Sequence, residues 1–240
     1  MNPPRPATSL SLAADSRIPL FDLLRQRARL EADIKTRMDT VLAHGQFVLG
    51  PEVDLIEKRL AEFAGVDHAI AVSSGRDALM IAMMAMGVGA GDAVFVPAFT
   101  FAATAGAVVS IGATPVFVDV EEATFNMDPA DLARAIEEVV ENGDFKPRVV
   151  MPVDLYGLPA DYPAICKVAD KYGMEVLADS AQSFGGKIGN SRVGALAPIT
   201  ATSFYPTKPL GCYGDGGAIL AESAELADAV RMIRSHGRQG

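Results

Sequence analysis

The sequence is poor in cysteine, histidine and basic charge, and each shortage excludes a class of function. Two cysteines, Cys166 and Cys212, stand among 240 residues. Cys166 falls in a helical pattern and Cys212 in a Gly-rich turn, so they form no disulfide framework and fit no zinc spacing. Reduced thiols in a cytoplasmic protein are the expectation. The three histidines, His44, His68 and His236, lie too far apart to read as a metal cluster. Lys and Arg total 21 against 30 Asp and Glu, a net charge of −9. A protein that tracks nucleic-acid phosphates needs a basic surface, and none is expected here.

Other absences concern targeting and organisation. The first residues, MNPPRPATSLSLAADSR, contain no continuous apolar stretch of the kind a signal peptide needs, and residues 1–17 read as a flexible tail. There is no internal repeat and no low-complexity run. The segment from Ala93 to Val118 lacks any charge and is long enough to span a bilayer. Pro97, Gly106, Gly112 and Pro115 interrupt it, however, and Thr100, Thr104 and Thr114 lie within it. It reads as strand, helix and strand, all buried, and not as a membrane span.

What is present is apolar content, 50% of the chain, arranged with period. Such a composition is that of a folded chain with a substantial core. Leu30, Ile34, Met38 and Val41 recur at helical spacing over 25–43, and Val53, Ile56, Leu60 and Phe63 over 51–63. From there strands and helices alternate. Strands are expected at 68–72, 93–96, 114–118, 148–153, 174–178, 200–204 and 217–221. Helices are expected at 75–86, 99–110, 131–142, 161–172 and 224–235. Seven short apolar strands with helices between most of them predict an α/β fold with a parallel sheet covered on both faces.

In such sheets ligands bind beyond the carboxyl ends of the strands. Three loops there carry distinctive residues. Ser73-Ser74-Gly75-Arg76-Asp77 opens a helix straight after a strand, which presents backbone N–H groups to an anion. It matches neither a Walker A loop nor a GxGxxG. In Asp179-Ser180-Ala181-Gln182 a carboxylate ends a buried strand, where it needs a cation or strong donors. Gln182 can reach the same space. In Ser203-Phe204-Tyr205-Pro206-Thr207-Lys208-Pro209 a lysine sits between two prolines with no other charge nearby. A lysine in apolar surroundings loses proton affinity and becomes a nucleophile suited to Schiff-base chemistry. One ligand with a phosphate, a protonated ring nitrogen and an aldehyde would satisfy all three loops. Pyridoxal 5'-phosphate has these groups.

These segments, with Gly45-Gln46-Phe47-Val48-Leu49-Gly50-Pro51, Pro97-Ala98-Phe99-Thr100-Phe101, Gly112-Ala113-Thr114-Pro115-Val116-Phe117-Val118-Asp119 and Gly214-Asp215-Gly216-Gly217, resemble the DegT/DnrJ/EryC1/StrS family of sugar aminotransferases. The resemblance runs from about Ile18 to Gly240. It implies the large domain of the aspartate aminotransferase-like fold (PLP fold type I), a mostly parallel seven-stranded sheet between helices, over residues 18–240. It implies Lys208 as the Schiff-base lysine and proton carrier, Asp179 as partner of the pyridine nitrogen and Gln182 near the phenolic oxygen. Phe101 would stack on the ring. Gly75, Arg76 and Asp77 would hold the phosphate through their N–H groups, together with the Ser203 hydroxyl.

The implied reaction moves an amino group from an amino acid, glutamate in this reading, to a nucleotide-linked keto-sugar in amino-sugar or polysaccharide biosynthesis. The implied assembly is a homodimer. Alternatives are amination of a cyclitol or an aminobenzoate-type precursor, or an inactive or regulatory PLP-binding fragment. Two positions depart from the family pattern. Arg76 stands where Thr is commoner, and Pro209 follows the lysine where Asn is common. Members of the family usually continue past an Arg234-Ser235-His236-Gly237-like motif into a smaller C-terminal domain, which is expected to be missing from this chain.

Overall fold

The computed structural model describes residues 20–238. The expected N-terminal tail, residues 1–17, lies outside them. The chain divides into two compact units, residues 1–40 and 41–240. Most of helix α1 (Leu23–His44) belongs to the first, and this helix buries none of its residues. Leu24, Leu30 and Met38 are exposed along it.

The second unit holds the remaining helices, α2 (Pro51–Ala64), α3 (Gly75–Ala85), α4 (Ala103–Ser110), α5 (Pro129–Asn142), α6 (Tyr162–Lys171) and α7 (Ala224–Arg234). Their boundaries follow local chemistry. Asp128 caps α5 by accepting from the Ala130 N–H, Pro129 takes the first helical position, and Gly143 ends it in the left-handed conformation.

Seven strands form the main sheet: β1 (His68–Val72), β2 (Asp92–Pro97), β3 (Thr114–Val118), β4 (Lys146–Val150), β5 (Glu175–Asp179), β8 (Ile199–Ser203) and β9 (Gly217–Ala221). A separate two-stranded ribbon, β6 (Lys187–Ile188) with β7 (Ser191–Arg192), was not expected from the sequence. The spatial order is β1-β9-β8-β5-β4-β2-β3. Within the seven-stranded sheet every pairing is parallel except those of β9, which runs antiparallel to both β1 and β8. The sheet is thus mostly parallel and seven-stranded, as expected. The uncharged run from Ala93 resolves into β2, α4 and β3, and among the described residues no helix is long and apolar enough to cross a membrane.

Side chains alternate between two cores, because successive strand residues point to opposite faces. Val94, Val96, Val149, Met151 and Leu177 join Leu79, Met83, Val108 and Val230 of α3, α4 and α7. Ala93, Phe95, Val150, Val176 and Ala178 join Leu132, Ile136 and Ile165 of α5 and α6. At the β1–β9 end a third cluster packs Leu60 and Ala64 of α2 on Ala69, Ala218 and Leu220. Strands buried on both faces explain the continuous apolar runs.

Two boundaries moved by more than two residues. The helix expected to begin at Phe99 begins at Ala103, so Phe99–Ala102 is loop. The strand expected at 148–153 is Lys146–Val150, and beyond it only an isolated parallel bridge, Val153 to Asp179, continues the pairing. Apolar runs mark burial and not strand length, so Met151 and Val153 are buried beyond the end of the strand.

Candidate active site

The carboxyl ends of β1, β2, β5 and β8 open on one cavity of about 300 Å³. Its lining includes Gly75, Arg76, Phe101, Asp179, Gln182, Ser203 and Lys208. The tertiary fold therefore brings the Ser74 loop to two loops more than a hundred residues further along the chain.

At one end lies the start of α3. Ser74 is its N-cap: its Oγ accepts the Asp77 N–H at 3.0 Å, and donates to Asp77 Oδ2 at 2.9 Å. The Ser73 hydroxyl donates to the same Asp77 oxygen. The Asp77 amide, one of three expected phosphate donors, is thus engaged in the cap, a local S-x-x-D reciprocity that competes with any ligand. The backbone around Gly75 is tightly packed. A Cβ on Gly75 would stand 2.6 Å from Ser203 Cβ, and one on Gly217 2.6 Å from the Ser74 carbonyl carbon and oxygen. Only glycine lets the α3 N-terminus, the end of β8 and the start of β9 meet this closely. The Arg76 guanidinium donates to Ser110 Oγ of α4 at 2.5 Å.

Asp179 ends β5 and is 7% exposed. Its Oδ2 accepts a 2.8 Å bond from Thr104 Oγ1, and its Oδ1 the Ala181 N–H at 3.3 Å. Thr104 Oγ1 is also 2.9 Å from Thr100 Oγ1. With its single proton directed to the carboxylate, Thr104 accepts from Thr100. Burial pushes the Asp179 carboxyl above its ordinary value, opposed by the Thr104 and Ala181 bonds; the Asp154 charge raises it further and the Lys208 charge lowers it. Such a group gains most from a cationic partner in the cavity.

Gln182 Oε1 accepts the backbone N–H of Tyr156 at 2.8 Å. Tyr156 is left-handed, with φ 55° and ψ 16°, which is costly for a non-glycine residue. With its oxygen occupied, Gln182 is left with its amide N–H groups as donors.

Lys208 follows β8 in the long loop that turns back into β9. The loop is pinned by the Phe204 N–H to Gly216 O (2.8 Å) and the Cys212 N–H to Phe204 O (2.7 Å). Lys208 is half-buried, and its Nζ lies 5.9 Å from the centre of the Phe101 ring. The expected apolar surroundings are thin: Tyr205 and Leu210 beside it are 52% and 38% exposed. Phe101 is itself 67% exposed, since α4 begins only after it. Among the described residues no group of His, Cys, Asp and Glu could hold a metal ion.

Thr104 is the site residue that sequence reading missed. The signal was a lone hydroxyl in the apolar stretch Ala102–Val109, where a buried polar group needs a partner. The partner is Asp179, 75 residues away, and only the fold reveals it.

The donor set fits pyridoxal phosphate. The glycine-lined cradle faces Ser203, the buried carboxylate lies across the cavity, and a primary amine lies beside an aromatic face. A profile of the DegT/DnrJ/EryC1/StrS aminotransferase family matches residues 28–240. The chain belongs to this family. Within it, the chain is 47% identical over 221 residues to a Pseudomonas aeruginosa protein named UDP-2-acetamido-2-deoxy-3-oxo-D-glucuronate aminotransferase, covering 92% of this chain and 60% of that one. A solved DegT/DnrJ/EryC1/StrS aminotransferase from Brucella abortus superposes with a TM-score of 0.88 at 48% identity, covering 90% of this chain and 58% of that one. The Bacillus subtilis NtdA structure, described as holding the cofactor PMP, superposes with a TM-score of 0.83 at 34% identity, covering 90% and 48%. The chain therefore spans roughly half to three-fifths of the length of these relatives.

Proposed function

We propose that this chain carries the cofactor site of a pyridoxal-phosphate-dependent aminotransferase that moves an amino group from glutamate to a nucleotide-linked keto-sugar. The observation that carries the reading is that Lys208, Asp179 and the Gly75 end of α3 line the same cavity. The sugar class is taken from the Pseudomonas aeruginosa relative, whose name specifies a UDP-linked 3-oxo sugar.

When bound, the cofactor supplies an aldehyde that an amine can capture and a protonated ring that accepts electrons. In this reading Lys208 would hold the cofactor through its Nζ, and the same amine would carry a proton to and from the substrate α-carbon. Asp179 keeps a proton on the ring nitrogen. Phe101 covers one ring face, and Gln182 donates from its amide nitrogen toward the ring oxygen. Gly75 and Arg76 bind the phosphate through their N–H groups, with Ser203 adding its hydroxyl. The exposed Phe47 and Val48, at 67% and 85%, favour a homodimer that covers them.

Purified protein given pyridoxal phosphate should develop a visible band that borohydride fixes as an adduct on Lys208. Lys208→Ala should give no adduct there. Glutamate should bleach the band, and a UDP-linked 3-oxo sugar should restore it. A protein that stays colourless, or an adduct on another lysine, overturns the proposal.

A further inference from the structure

Behind Asp179 lies a second carboxylate that the proposed chemistry does not use. Asp154 is fully buried, on the segment that leaves β4. Its Oδ1 accepts the Ala160 N–H at 2.9 Å and the Tyr162 hydroxyl at 2.7 Å. Its Oδ2 accepts the Ser180 and Ser183 hydroxyls at 2.8 and 2.6 Å. Four donors serve two oxygens, and none of the four is a cation. A buried carboxylate without a cation is costly even when fully hydrogen-bonded. An apolar residue there would leave these four donors without their acceptor, at a further cost.

The identity of the partners suggests what the carboxylate is for. Both Oδ2 donors belong to the turn that follows Asp179. The Asp154 N–H also donates to the Asp179 carbonyl at 3.1 Å, and the Asp179 N–H donates to the Pro152 carbonyl at 2.9 Å. Two residues on, the Tyr156 N–H fixes Gln182. The 152–156 segment thus holds the 179–183 segment at its start, through its serines and at Gln182. From α6, Asp154 faces Tyr162, whose hydroxyl burial and the Asp154 charge push far up, so that it stays neutral and donating. From β5 it faces Asp179, on which Lys208 acts with the opposite sign.

We infer that Asp154 is a positioning residue for Asp179: its hydrogen bonds fix the Asp179–Ser183 turn, and its buried charge reinforces Asp179 as counter-ion of a protonated ligand nitrogen. The second half rests on the cofactor reading proposed above, and the first half does not. Removing the charge weakens the hold on a nearby proton, because a neighbouring anion favours protonated states. Removing one serine loosens the turn without changing the charge.

The test has two arms. In the first, the visible band of the pyridoxal-phosphate-loaded protein is titrated against pH for the wild type and for Asp154→Asn. The asparagine keeps the shape, and the serine hydroxyls can rotate to accept from it. The midpoint should fall by about half a pH unit or more. If the asparagine variant does not fold, Asp154→Ser, smaller and neutral, gives the same reading. In the second arm, hydrogen exchange is followed on cofactor-free wild type and Ser183→Ala. Amides within 179–186 should exchange roughly tenfold faster in the variant. An unshifted midpoint in a neutral, coloured variant overturns the charge role, and unchanged exchange overturns the clamp. A wild type that never colours defeats the cofactor proposal and the charge role with it, while the exchange arm still decides the clamp.

Discussion

Thr104 Oγ1, in the first turn of α4, donates a 2.8 Å hydrogen bond to Asp179 Oδ2 at the end of β5. The pair ties a helix to a strand 75 residues further along the chain, and it gives a nearly enclosed carboxylate one of its few donors. Thr104→Val keeps the volume and removes the donor. The variant should lose about 1–3 kcal/mol of stability in urea unfolding, the cost of an unsatisfied buried group. It should also bind pyridoxal phosphate more weakly than Thr104→Ser, which retains the hydroxyl.

The same carboxylate sets a pH dependence in the cofactor-free protein. Burial, the largest influence, lifts Asp179 above its ordinary 3.8. The folded state then binds a proton more readily than the unfolded one. The stability that this proton contributes is complete below the ordinary value and is lost as pH rises through the raised one. Wild type minus Asp179→Asn stability, from urea melts across that window, should therefore fall with rising pH. A difference that rises instead would contradict the assignment of burial as the dominant influence.

Gly75 tests the anion cradle. A methyl group there meets Ser203 Cβ at 2.6 Å, closer than real Cβ contacts. Gly75→Ala should cost about 1–3 kcal/mol through overpacking and, under the proposed function, should weaken pyridoxal phosphate more than pyridoxal, because it displaces the amides proposed to hold the phosphate. Equal losses for the two ligands would move the phosphate elsewhere.

At the β1 edge, Arg234 of α7 pairs with Glu57 of α2 at 2.5 Å, both about 15% exposed. Glu57 also accepts the Ala71 N–H at 2.9 Å, and Arg234 Nε has no partner of its own. Glu57→Gln leaves the arginine charge uncompensated and should lower the unfolding free energy by about 3 kcal/mol. Adding Arg234→Met should recover part of that loss, because it removes the stranded charge.

The sequence alone carried the architecture a long way. Apolar runs of four to six residues between helical periods specified a sheet buried on both faces, since only such strands can be apolar throughout. The ends of those runs placed Ser74, Asp179 and Lys208 at the strand termini where ligands bind. Strand order and the reversal of β9 left no local signal. A strand's hydrophobicity is the same whichever neighbour it takes and in whichever direction it runs. The glycine-rich stretch at 211–217 lies in the long loop between β8 and β9 but does not specify the direction in which β9 runs.

Composition, period and motif thus determined most of the elements and the family, and singled out the chemically distinctive residues at the strand ends. Tertiary structure decided which groups complete them. Thr104 reads as an ordinary helix residue and Asp154 as an ordinary loop aspartate until folding places them against Asp179. The meaning of a buried polar group lies in its partner, and across tens of residues the partner is chosen by packing of the whole sheet, which no local pattern encodes.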